Sequence, residues 1–275
     1  MFSFKFLVTF CLFVFATPYD VNGQDSNDLV PTDGPQHTIS SSIVPIKKMQ
    51  IETEFVHTSS SRILSVYQYE YDRRTFPDLL VRIGIKNRLE LRVGINHNVI
   101  DDKYYGADGS LRLSKERKFW HYLPLGIKVK LSEQEGLKPD VSILIQTTFL
   151  RYPTDSVRML IDRCILYGWR ISNVFSLSGS WGENNMYSQS RDKYGLPLSL
   201  AIRTKPSSYF SFYLEGLTVI LRGSISGDSS PQYLVNSGLS LDLRNNLRIN
   251  SFIGRHLDYS NNNYFAGFGL TFRPY

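Results

Sequence analysis

Residues 88–96 read RLELRVGIN, and every second side chain is apolar. Leu89, Leu91, Val93 and Ile95 fall on one side of an extended chain; Arg88, Glu90, Arg92, Gly94 and Asn96 fall on the other. A period of two describes a strand with one apolar face and one wet face. The pattern recurs from residue 49 onward. QIETEFVH sets Ile51, Thr53 and Phe55 against Gln50, Glu52 and Glu54, and PLGIKVKL sets Leu125, Ile127, Val129 and Leu131 against Gly126, Lys128 and Lys130. DVSILIQTTFL, GLPLSLAIRT, YFSFYLEGLTVILR, QYLVNSGLSLDLR, NLRINSFIGRHL and YFAGFGLTF continue the series. The chain is therefore all-β, and the open question is whether its apolar faces meet a protein core or lipid.

The connections alternate in kind. Short turns are expected near 86–87, 132–138, 166–168, 205–208 and 244–246, and the Asn residues at 87 and at 245–246 suit tight hairpins. Other connections, near 59–73, 100–120, 151–157, 182–194, 223–230 and 257–262, are mostly longer and polar. Six connections at one end and five at the other imply about twelve strands with both chain ends on one side, the anatomy of an outer-membrane barrel. RILSVYQYEY also alternates, so the first of the long connections is expected either to prolong its strands or to hold an extra hairpin.

Three features answer the question in favour of lipid. The alternating stretches run to roughly 9–13 residues, which suits a tilted bilayer crossing better than the short strands of soluble sheets. Aromatics gather near strand ends, at Trp120, Tyr122, Trp169, Trp181, Tyr209, Tyr264 and Phe272, where interfacial girdles belong. The wet faces also carry charge, at Glu52, Arg82, Glu90, Arg92, Lys128, Lys130, Arg203, Asp242 and Arg248, the candidate residues facing the barrel interior. Those charges either shape selectivity by charge and size or form a salt-bridged filling that closes a narrow barrel. Leu80, Leu144, Leu214 and Phe252 are expected to share the inward face, which suggests a constricted path. Gly267 and Gly269 occupy alternate positions where a small side chain lets the wall bend or a neighbour approach.

The first sixteen residues, MFSFKFLVTFCLFVFA, hold one Lys and then an apolar run too short to span a bilayer comfortably, which reads as a secretory signal over 1–23, with a retained anchor helix as the alternative. Its removal before Gln24 leaves Cys164 as the one cysteine, so no internal disulfide is expected. Residues 24–48, rich in Ser, Pro, Asp and Gly, are expected to form an extended periplasmic lead, too short to plug the barrel over 49–275.

TDGPQHTISSSIVPIKKMQIETEF resembles the opening of the outer-membrane proteins of the MetA-pathway of phenol degradation family, through Thr32, Asp33, Pro35, Val44, Pro45, Lys47, Gln50, Glu52 and Thr53. IGIKNRLELRVGINHNV and LPLGIKVKLSEQEGLKPDVSILIQTTF resemble the family's next hairpins, and YFAGFGLTF its closing strand. Two positions depart from the pattern: Gly34 stands where the family often has Arg, and Pro274 puts Tyr275 out of phase with Phe272. The resemblance implies a transporter-like barrel that passes small or aromatic compounds.

The expectation is a Gram-negative, porin-like outer-membrane channel for passive passage of a small solute, with a non-conducting structural or surface-display barrel as the alternative. Its partners would be outer-membrane lipid, the barrel-assembly machinery and the solute. The net charge of +6 is spread through alternating segments rather than clustered, which argues against nucleic acid. His37, His57, His97, His121 and His256 show no ligand spacing, and His97 has no serine tied to it by motif. No metal, cofactor or catalytic activity is expected.

Overall fold

The computed structural model describes residues 38–64, 67–151, 157–183, 194–222, 231–257 and 263–274. Twelve strands form one closed antiparallel barrel. They are β1 (Met49–Leu64), β2 (Tyr67–Lys86), β3 (Leu89–Tyr105), β4 (Leu111–Ser132), β5 (Asp140–Arg151) and β6 (Val157–Arg170), then β7 (Phe175–Glu183), β8 (Tyr194–Thr204), β9 (Phe210–Arg222), β10 (Gln232–Arg244), β11 (Leu247–His256) and β12 (Asn263–Phe272). Each strand pairs with its sequence neighbours, and β1 closes on β12, with Ile51 opposite Phe272. Closure removes the sheet edges that would otherwise leave backbone groups unpaired in hydrocarbon.

The strand pattern sorts as the alternation predicts. Glu90, Arg92 and Lys128 are buried inside, while Leu125, Ile127, Val129 and Leu131 are exposed outside. Exposed aromatics frame this apolar belt: Tyr209 lies at the short-turn end, and Trp120, Trp181 and Tyr264 lie toward the other, whereas Trp169 is half-buried at the short-turn end with its indole donating to the Leu137 carbonyl. From Tyr264 to Phe272 the chain of β12 climbs roughly 20 Å, at about 3.3 Å per residue and a tilt near 40°, close to the height of an outer-membrane apolar band. The side chain of Tyr122 lies outside the described ones.

The short turns fall between β2 and β3, β4 and β5, β6 and β7, β8 and β9, and β10 and β11, at the same end as Met49 and Phe272. One expected turn is misplaced. The chain does not break at 166–168; β6 runs through to Arg170 and turns over 171–174. Leu166 is fully buried on the inward face in phase with Cys164, so the alternation is uninterrupted, and the Ser172 hydroxyl accepts the Val174 and Phe175 amides to close the real turn.

At the other end, 59–73 and 100–120 are mostly strand rather than loop. β1 to β4 contain 16, 20, 17 and 22 residues against 10 in β12, so one side of the wall rises well past the rest. Its rungs are polar, with Arg74 paired to Asp101 and Arg117 to Asp102. A bulge at Phe76–Pro77 lies between the apolar belt and this projection, where Pro lacks the N–H a ladder needs. The signal segment 1–23, residues 24–37 and the connections expected near 151–157, 182–194, 223–230 and 257–262 fall wholly or largely outside the described residues.

Candidate functional site

The interior holds an element that the sequence reading placed elsewhere. Of the expected periplasmic lead 24–48, residues 38–46 lie within the barrel, with Thr38, Ser40, Ser41 and Val44 buried. The expectation that this stretch is too short to fill the barrel is therefore corrected. Nine extended residues reach about 30 Å, more than the roughly 23 Å between opposite backbones of a tilted twelve-stranded barrel.

The stretch enters beside β2. Ile46 forms a parallel bridge with Gly84, the Lys47 amide donates to the Gly84 carbonyl at 2.9 Å, and the Gly84 amide donates to the Lys48 carbonyl at 3.0 Å. A Cβ on Gly84 would sit 2.1 Å from the Pro45 oxygen, so only glycine permits this approach. Beyond it, the Val44 amide donates to Glu90 Oε2 at 2.8 Å. The Ser42 carbonyl accepts from Arg82 Nη2 at 2.9 Å, and the Ser40 carbonyl from Lys128 Nζ at 3.0 Å. Ser142 donates to the Ser41 carbonyl at 2.5 Å. Ile39 packs on Leu144, Cys164 and Leu166, and the Thr38 amide reaches the Glu215 carboxylate on β9. Residues 38–46 thus cross from the β2 wall to the β9 wall.

What receives them is a charged cluster on four adjacent strands. Arg82 donates through Nε and Nη2 to both Glu90 oxygens, at 2.9 and 3.0 Å, and through Nη1 to Glu52 Oε1 at 2.9 Å. Gln50 donates to the same Glu52 oxygen at 2.8 Å, and Lys128 stands 3.7 Å from Glu90. Two cations and two carboxylates balance with geometry that satisfies each, the condition under which charges tolerate burial.

The nine sequence candidates therefore fall into two groups. Glu52, Arg82, Glu90, Arg92 and Lys128 are buried in or beside this cluster. Lys130, Arg203, Asp242 and Arg248 line cavities at the short-turn end, with Lys130 paired to Asp140 at 2.9 Å and Arg248 to Asp242 at 2.5 Å. Leu144 and Phe252 are buried inside, and Leu80 stands directly opposite the inward Glu52. Leu214 is corrected: it is exposed on the outer face, and Tyr213, Glu215 and Leu217 point inward. The signal was present, because the opposite phase would drive the Glu215 carboxylate into lipid, at a cost of several kcal/mol.

The β9–β12 side of the interior carries an apolar cluster set among buried polar residues such as Glu215, Asn236 and Asn250. Tyr213, Leu217, Val219, Leu234, Phe252 and Phe265 form one buried cluster, with Val56 against it. Gly267, one of the glycines read as leaving room, stands directly across from Phe252, and a Cβ there would lie 2.5 Å from the ring. Among the described residues, no group of three His, Cys, Asp or Glu side chains could hold a metal ion. His57 lies 3.3 Å from Asp72, while the His97 ring is tilted against Trp120 and His256 meets Phe265 edge-on.

Several solved structures share this fold. An outer membrane channel from Pseudomonas putida F1 matches with a TM-score of 0.61 over 90% of this chain and 100% of that chain, at 11% identity. The transport unit of the autotransporter AIDA-I from Escherichia coli gives 0.57 over 91% and 94%, at 10% identity. The translocator domain of the autotransporter NalP from Neisseria meningitidis gives 0.51 over 83% and 89%, at 7% identity. No family model matches the sequence, and no curated protein does. At these identities the likeness is one of fold: a closed barrel of the kind that carries channels and translocators.

Proposed function

We propose that the chain is exported, inserted by the barrel-assembly machinery into a bacterial outer membrane, and passes a small solute passively. The observation that carries this reading is an inverted barrel. The outer wall is apolar and framed by aromatics, whereas half of the inner wall is a hydrogen-bonded charged cluster around the chain's own residues 38–46. A small soluble barrel would place its apolar side chains inside and its charges outside. The resemblance to the MetA-pathway family supports a small aromatic or hydrophobic solute, and the buried apolar cluster around Phe252 narrows the path to one that suits a small solute. In this reading Glu52, Arg82, Glu90, Arg92 and Lys128 hold the filling, while Lys130, Arg203, Asp242 and Arg248 meet the solute.

The same filling favours a second reading, a barrel that conducts nothing and serves a structural or display role. Liposome swelling separates the two. Arabinose, glycine and benzoate are to be tested with the full chain and with a chain lacking residues 38–46, each shown to be folded by heat-modifiable migration. Passage predicts slow swelling with the full chain and faster swelling without the segment. If both folded forms exclude every solute, the non-conducting reading stands.

A further inference from the structure

At the short-turn end, the turns at 171–174, 205–209 and 245–246 enclose a cavity of about 550 Å³. Its charged lining is lopsided: Arg170, Arg203, Lys205, Arg244 and Arg248 face a single carboxylate, Asp242. Asp242 is already engaged, accepting from Arg248 Nε at 2.5 Å and lying 3.5 Å from Lys205 Nζ. Arg203 has no hydrogen bond or ion pair among the described residues, although it borders both this cavity and the adjoining one of about 690 Å³. Arg248 is more than nine-tenths buried, and its Nη1 has no hydrogen-bond partner among the described residues. The other inward groups of the neighbouring strands at this level, Ser176, Ser211 and Asn245, are neutral. The adjoining cavity adds Glu133 and the internally compensated Lys130–Asp140 pair.

Guanidinium N–H groups left over after internal pairing, as on Arg203 and at Arg248 Nη1, match the planar two-oxygen acceptor of a carboxylate, and a partly desolvated site strengthens the pairing. Deeper in the barrel the inward wall alternates polar residues, Ser240, Asn250 and Glu215, with an apolar cluster. Tyr213, two residues beyond Ser211 on β9, begins the cluster that includes Leu217 and Phe252. We infer that this cavity is a binding site for a small organic carboxylate, its oxyanion on Arg203 and Arg248 and its apolar body directed toward the Tyr213 cluster. The inference deepens the proposed passage by naming the solute's charge, and it rests on that reading for its physiological meaning only.

The test measures binding rather than conduction, so the two can fail separately. The full mature chain in detergent micelles is titrated with 4-fluorobenzoate and followed by fluorine NMR, alongside neutral 4-fluorobenzyl alcohol and with inorganic phosphate as competitor. Saturable binding of the benzoate is expected, weakened about tenfold by Arg203→Gln, consistent with loss of one charged hydrogen-bonding partner. Arg203 takes part in no hydrogen bond that folding needs, and heat-modifiable migration checks the variant. Arg74→Gln, far away on the projecting sheet, should leave binding unchanged. Absence of saturable binding, equal affinity for the alcohol, displacement by phosphate at lower concentration than benzoate, or an unaltered affinity in Arg203→Gln would each overturn the carboxylate site. A chain that binds benzoate but admits no solute into liposomes would keep the site and sink the passage.

Discussion

The two halves of the barrel interior solve the same filling problem with different means. On the β1–β5 side the wall offers charges and the chain's own residues 38–46 complete their coordination, so the filling is a separate strip that is held there before it crosses to Glu215 on β9. On the β9–β12 side the wall fills itself. Tyr213, Phe252 and Phe265 stand directly across from Gly238, Gly267 and Gly254, and a Cβ at each glycine would come within 2.1–2.6 Å of a ring atom. A ring seated over a glycine on the next strand occupies inward volume without any inserted element. The polar half is therefore removable in principle and the apolar half is fixed. The difference arises because a buried guanidinium requires acceptors, whereas a buried ring requires only volume.

The sharpest way to break this contrast is Glu90→Gln. It removes the carboxylate that holds both Arg82 nitrogens and the Val44 amide, leaving Arg82 and Lys128 with Glu52 as the remaining carboxylate of the cluster. Loss of one partner from a buried pair costs about 3–5 kcal/mol. The urea midpoint for conversion of the compact to the unfolded gel band should fall accordingly, and a reporter Ser42→Cys, half-buried in the intact barrel, should label faster with a maleimide while buried Cys164 stays silent. Phe252→Ala should follow at about 3 kcal/mol, through lost burial and a cavity beside Gly267, yet leave the Ser42→Cys reporter protected. A released reporter in Phe252→Ala would show that the halves are one unit. Gly84→Ala is the milder counterpart. Its methyl would overlap the Pro45 carbonyl, so about 1–3 kcal/mol of overpacking should appear as faster labelling at position 42 with the strands intact.

The barrel itself was legible because lipid enforces a strict rule on each strand: Leu125, Ile127, Val129 and Leu131 could not have faced the charges of Lys128. Phase was lost where both faces are apolar. In β9 the run from Phe210 to Leu221 is greasy on either side, and Glu215 was the only charge that could fix the direction of Leu214. The β6 turn was placed early because Tyr167-Gly168 looks like a break, while Ser172 closes the turn through local hydrogen bonds that leave no periodic trace. Least legible was the strip 38–46. Its contacts to the wall are mostly through backbone amides and carbonyls, which every residue carries, so Ser40-Ser41-Ser42 reads as linker.

The smallest effect should lie outside both halves, at the tip of the β3–β4 hairpin. Asp108 accepts the Ser110 hydroxyl at 2.7 Å and the Ser110 amide at 3.0 Å, with Gly109 at φ 74° between them. Those two hydrogen bonds, the hydroxyl's first, hold the Asp108 carboxyl below its ordinary value. A carboxyl depressed in the folded state favours that state above its unfolded pKa, and the contribution fades as pH falls through the lower folded pKa. Order at the tip should therefore persist through the usual Asp range and weaken only on further acidification. The Ser110 amide resonance reports this directly, and Asp108→Asn should remove its acid limb. Because the site is fully exposed and screened, neither the urea midpoint nor the reporter at position 42 should move with it. If Ser110 instead titrates at the ordinary Asp value, the Asp108 turn is not held by these bonds in solution; if the position 42 reporter responds along with it, the projecting sheet communicates with the polar half, and the interior strip is then coupled to the outer surface as well as to its anchors on the wall, Arg82, Glu90, Lys128 and Gly84 among them.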